Sequence, residues 1–142
     1  MPLILELIHE LAAYEKEPPS TVQATESTLS QTLGFTPDSK KAYAYAILAF
    51  TPSGEPAGMA LYFTNYSTWR AKPGIYLEDL YVKERFRGRG YGTALLAALA
   101  QRVKEIDGAR LEWSVLKCGF PSPPPPSILL RKKKEKKNNN IK

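Results

Sequence analysis

Arginine and glycine crowd one short run: Glu84-Arg85-Phe86-Arg87-Gly88-Arg89-Gly90-Tyr91-Gly92-Thr93. Glycines at three alternate positions let the backbone turn tightly and aim several N–H groups at one point. A helix starting directly afterwards would add the positive end of its dipole there. Arg85, Arg87 and Arg89 add fixed charge suited to phosphate. The chemistry these residues can do is to hold an anion, most naturally a pyrophosphate.

The elements needed to position such a cradle are legible on both sides of it. Residues 3–15 carry Ile4, Leu7, Ile8, Leu11 and Ala12 at helical spacing, with Glu6, Glu10 and Glu15 pointing elsewhere. Pro18 and Pro19 are expected to end that helix. A short helix is expected near Glu26 to Leu33, closed by Gly34. Residues 42–50 and 57–65 read as a β-hairpin around the turn Thr51 to Pro56. Asn65 to Pro73 reads as a loop holding Trp69. Residues 75–83 read as a third strand. Strict alternation there puts Ile75, Leu77, Asp79, Tyr81 and Lys83 on one face and Tyr76, Glu78, Leu80 and Val82 on the other. The glycine run then opens a helix of about four turns, with Leu95, Leu96, Leu99, Val103 and Ile106 on one face and Gly108 at its end. Leu111, Trp113 and Val115 alternate in a last strand.

A strand, a glycine-rich turn and a helix occur in several phosphate cradles. A P-loop needs Gly-Lys followed by Ser or Thr, and no lysine lies in this turn. A dinucleotide fingerprint would need a further glycine at Thr93 or Leu95. The pattern Arg/Gln-x-x-Gly-x-Gly/Ala is met by Arg87, Gly90 and Gly92, and again by Arg85, Gly88 and Gly90. The plainer readings are a ligand-free Gly/Arg turn or an RNA contact of the Arg-Gly-Gly type.

The third pattern resembles that of the GNAT superfamily of acyl-CoA N-acyltransferases, and the resemblance extends beyond the motif. Residues 10–15 (ELAAYE), 58–63 (GMALYF), 67–69 (STW), 75–82 (IYLEDLYV) and 87–93 (RGRGYGT) are similar to the diamine (spermidine/spermine) acetyltransferase branch. The similarity covers roughly residues 3–117. It implies an acyl-CoA N-acyltransferase fold: mixed α/β (α+β), with a twisted, mostly antiparallel sheet flanked by helices, and strands 75–83 and 110–117 splaying apart. It implies acetyl-CoA as cosubstrate and no metal. Leu80, Tyr81 and Val82 then correspond to the strand edge that pairs with the pantetheine arm. Arg87, Gly88, Arg89, Gly90, Tyr91, Gly92 and Thr93 correspond to the pyrophosphate loop. Glu78 matches an acidic residue facing the acceptor amine and is the candidate base. Tyr14, Glu15 and Trp69 match the amine site. The implied reaction is direct attack of a small primary amine, a polyamine or a lysine-like diamine, on the thioester. Homodimers are expected on the same ground, and a cytoplasmic setting from the single cysteine, which suggests a reducing compartment.

Relative to that family the chain is expected to be incomplete at both ends. It opens at the first helix rather than a strand, and after Lys117 it lacks the family's Phe-Tyr-bearing helix; no tyrosine follows Tyr91. Weak or absent turnover is the corresponding expectation, and a CoA-binding protein without turnover is the alternative.

The 142 residues have a net charge of +6. Residues 1–130 hold thirteen basic and thirteen acidic residues; the excess lies in Arg131 to Lys142. Residues 1–117 are therefore expected to form the domain, and residues 118–142 a Pro-rich, then Lys/Asn-rich, low-complexity tail. The Lys and Asn run implies A-rich coding DNA, and a retained intron, a frameshift or an alternative splice end is the corresponding expectation. Nucleic-acid binding, or nuclear entry, would come through that tail alone. The single cysteine, Cys118, excludes an internal disulfide, and no apolar run is long enough to span a membrane. His9, the only histidine, reads as a solvated surface residue.

Overall fold

The computed structural model describes residues 1–37 and 41–114. The elements run α1 (Pro2–Tyr14), α2 (Glu26–Thr32), β1 (Tyr45–Phe50), β2 (Pro56–Ser67), β3 (Lys72–Val82), α3 (Tyr91–Glu105) and β4 (Leu111–Trp113). Single 3₁₀ turns lie at Pro19–Thr21 and Glu84–Phe86. Expectations for Val115, Lys117, Cys118 and the tail lie outside the described residues.

The sheet order is β1-β2-β3-β4. The first two pairings are antiparallel, and β3–β4 is parallel through the α3 crossover. One apolar cluster forms on the α3 face from Ala60, Tyr62, Ile75, Leu77, Leu95 and Leu99. A second forms on the α1 and α2 face from Ile4, Leu7, Leu33, Met59 and Tyr81. Leu7, Met59, Ile75, Leu95 and Leu99 are fully buried, each contributing about 1.5–3 kcal/mol.

Helix α1 does not run on to the prolines. It stops at Tyr14 with Lys16 in the left-handed region (φ 63°). Lys16 N–H donates to Ala13 O at 3.1 Å and Glu17 N–H to Ala12 O at 2.9 Å, a Schellman ending with lysine where glycine is usual. Helix α2 starts in a reciprocal cap between Thr25 and Thr28. Ile106 caps α3 as a largely exposed residue rather than joining the buried face.

Two strand expectations are corrected. The segment 65–73 is not a loop, because β2 reaches Ser67 and β3 starts at Lys72, leaving residues 68–71 as the turn. Alternation along β3 is not strict either. Tyr62 pairs with Leu77 but Leu61 pairs with Asp79, so Glu78 is an extra residue in a β-bulge. The shift leaves Leu77 on the α3 face and puts Asp79 and Tyr81 on the α1 face, opposite Leu61 and Met59.

Candidate active site

The bulge divides β3 in two. Upstream, Ile75–Leu77 pairs with Leu111–Trp113 of β4. Downstream, among the described residues, Leu80, Tyr81 and Val82 have register partners only on β2. Lys83 N–H donates to Ala57 O at 2.9 Å. By alternation, Tyr81 also turns its backbone groups toward β2, while Leu80 and Val82 turn theirs to the other edge. Arg87 Nε–H occupies the Val82 carbonyl at 3.0 Å. Leu80 thus turns its backbone to the edge away from β2, where no partner lies among the described residues. The Tyr81 side chain is buried in the α1 cluster.

The turn after β3 is anchored by Phe86, buried beneath it, with the Arg85 and Arg89 guanidinium carbons 5.0 and 5.7 Å from its ring centre. Arg85 also pairs with Glu55. Gly88 (φ 73°) and Gly90 (φ 88°) adopt left-handed conformations, and Gly90 caps α3. A Cβ on either would meet nothing within 4 Å, and one on Gly92 would meet only Val82 Cγ2, at 3.8 Å. Open space therefore lies over the turn. The N–H groups of Tyr91, Gly92 and Thr93, in the first turn of α3, have no acceptor within the helix. A pyrophosphate fits this cradle in both charge and space.

Arg87 leans away from the turn. Its guanidinium carbon is 4.1 Å from the Tyr14 ring centre and 5.8 Å from that of Tyr81. It therefore joins the cradle to the end of α1, where Tyr14 and Glu15 stand exposed. On the same sheet face, burial pushes the Asp79 carboxyl above its ordinary value, and the charges of Glu78 and Glu15 push it further. Three carboxylates so placed attract a cation. Glu78 is exposed. Trp69 is not brought to this group: it is 97 % exposed at the tip of the β2–β3 hairpin. The strand run from Lys72 to Glu78 separates them by ~20 Å.

Asp79 and Lys83 carry more of the site than the sequence suggested. Lys83 is buried and ion-paired to Glu6 and Glu10 of α1. The adjacent Glu78-Asp79 in an apolar strand is a signal for the first. Nothing local signals the second, whose partner Glu6 lies 77 positions away and Glu10 little nearer.

An acidic bulge, a strand edge with no partner among the described residues and an open glycine cradle at a helix start follow one another along the chain. The model of the acetyltransferase (GNAT) family matches residues 7–122. The chain belongs to the GNAT acetyltransferase family. The thialysine N-epsilon-acetyltransferase of Caenorhabditis elegans is 34 % identical over 113 residues, covering 80 % of this chain and 65 % of that protein. The L-ornithine N5-acetyltransferase of Arabidopsis thaliana is 29 % identical over 157 aligned positions, covering 82 % and 68 %. Among solved structures, an aminoglycoside acetyltransferase from an uncultured soil metagenomic sample superposes with a TM-score of 0.67 at 19 % identity, over 82 % of this chain and 71 % of that one. That likeness supports the GNAT fold alone. No described group of His, Cys, Asp or Glu could hold a metal ion, and no described helix is long and apolar enough to cross a membrane.

Proposed function

We propose that this GNAT chain transfers an acetyl group from acetyl-CoA to a small primary amine. The observation that carries the reading is the acidic bulge, Glu78-Asp79, followed by a strand edge with no partner among the described residues and by an open anion cradle. Bound acetyl-CoA would supply the thioester. The Gly88–Thr93 turn would hold its pyrophosphate, with Arg89 adding charge, and the Leu80 edge would receive its pantetheine arm as an added strand does. Glu15, Glu78 and Asp79 draw in an ammonium group. Only the neutral amine is a nucleophile, so one proton must leave it. Glu78, exposed beside the bulge, accepts that proton directly or through water. The Leu80 N–H, on the same edge, would donate to the developing oxyanion; as the new C–N bond forms, the C–S bond would break and CoA would leave as a thiolate that takes its proton from water. The thialysine and ornithine acetyltransferases among the relatives act on amine-bearing amino acids by name, which supports a lysine-like diamine at least as well as a polyamine.

The test is release of free thiol from acetyl-CoA in the presence of lysine, ornithine, putrescine and spermidine. Glu78→Gln is expected to lower kcat about a hundredfold, with acetyl-CoA affinity unchanged. Absence of thiol release with all four amines would overturn the proposal, whether or not acetyl-CoA binds.

A further inference from the structure

We infer that Lys83 is a positioning residue: its ammonium, gripped by Glu6 and Glu10, fixes the rotation of α1 and so places Tyr14 and Glu15 beside the cofactor turn. The inference rests on the transferase reading for its kinetic consequence, though not for its structural one.

The geometry is a two-point fastening. Lys83 Nζ donates to Glu6 Oε1 at 2.8 Å and lies 3.0 Å from Glu10 Oε1. Four residues after Lys83, Arg87 stacks on Tyr14 at 4.1 Å. Glu6, Glu10 and Tyr14 are spaced by four, so they form one stripe along α1. Lys83 and Arg87 have the same spacing and meet that stripe from the other side. An open groove lies between the two, lined in part by Tyr14, Tyr81, Lys83 and Arg87.

This stripe is not the one that buries α1. Ile4, Leu7 and Leu11 pack on the sheet, and the charged stripe lies roughly a quarter of a turn around the helix from them. A helix held on a single apolar stripe can roll on it. A second attachment to the flank stops the roll. Rolling would carry Tyr14 off Arg87 and Glu15 away from Asp79. The main chain of Lys83 is itself fixed by Ala57 O, at 2.9 Å, and its side chain is buried, so the ammonium has little room to move. The Glu6 side chain keeps 56 % of its exposure and that of Glu10 33 %. Removing the lysine charge therefore leaves carboxylates that water can reach, and the variant should fold.

The experiment compares the full chain with Lys83→Met, Lys83→Arg and the Glu6→Gln/Glu10→Gln double variant. Two readouts are taken: amide hydrogen exchange without ligand, and steady-state constants for acetyl-CoA and lysine. Lys83→Met should speed exchange at Ala13 to Glu15 about tenfold and leave α3 unchanged. It should raise the amine KM about tenfold while acetyl-CoA KM stays within twofold. The double variant should match it, combining the two should add nothing further, and Lys83→Arg should recover most of the loss. Unchanged exchange at Ala13 to Glu15, or faster exchange spread equally over α3 with both KM values rising together, would overturn the inference. If the unaltered chain releases no thiol with any of the four amines, the transferase reading falls, and the exchange data alone decide the placement of α1.

Discussion

Asp79 and Glu78 are neighbours in sequence with different surroundings. Glu78 stands exposed at the bulge, while Asp79 packs against Leu61 on the α1 face and has its carboxyl pushed above the ordinary 3.8 by burial, then by Glu78 and Glu15. An acid whose folded pKa is raised binds its proton more readily folded than unfolded. Its contribution to stability is therefore best below the ordinary value and is lost as pH rises through the raised one. Asp79→Asn removes that penalty. Its Tm at pH 7 should exceed that of the unaltered chain by about 2–4 °C, and the gain should vanish at pH values below the ordinary carboxyl range; a gain of equal size there would refute the assignment. The ion pair at Glu6 has the opposite sign. The Lys83 hydrogen bond and charge hold Glu6 below its ordinary 4.5, so its contribution is present above that value and is lost as pH falls through the lowered one.

Two glycines separate what the elements need from what the ligand needs. A Cβ on Gly58 would lie 2.3 Å from Tyr81 O and 3.0 Å from Val82 Cα, both main-chain atoms of β3. Gly58→Ala must therefore pry β2 from β3, and a loss of about 2–3 kcal/mol is expected in urea unfolding. Gly90 has a left-handed φ and open space. Gly90→Ala should cost about 1 kcal/mol in stability yet weaken acetyl-CoA binding at least about tenfold, because the methyl enters the cradle. Calorimetric titration beside urea unfolding separates the two effects. The glycine turn, the α3 stripe and the hairpin were legible because each is a local pattern of a few residues. The bulge was not, since a period-two reading of Ile75 to Lys83 contains no sign of which residue is unpaired. The length of the β2–β3 pairing was hidden as well: Asn65-Tyr66-Ser67 looks like turn sequence, but its register partners Gly74, Pro73 and Lys72 continue the ladder. The Lys83 fastening joins residues too far apart in sequence for any periodicity to reveal.

At the scale of the whole molecule, charge and site are separate. The excess of +6 resides in residues 131–142, while the site's own arginines are balanced by acids elsewhere in residues 1–130. Retention on a polyanion column should fall steeply with salt and disappear when residues 119–142 are removed, with the acetyl-CoA Kd unchanged within twofold. Retention that survives the deletion would place a basic surface on residues 1–118 instead. The β-bulge has a consequence on this scale too. Deleting Glu78 would join Leu77 to Asp79 with both flanking registers and both face assignments already correct, so the ladder could close without rearranging either core. To the sheet the residue is a supernumerary link. A chain shortened by that one link should melt no lower than its parent while losing transfer entirely, which would mark Glu78 as a position kept for chemistry that the architecture could do without.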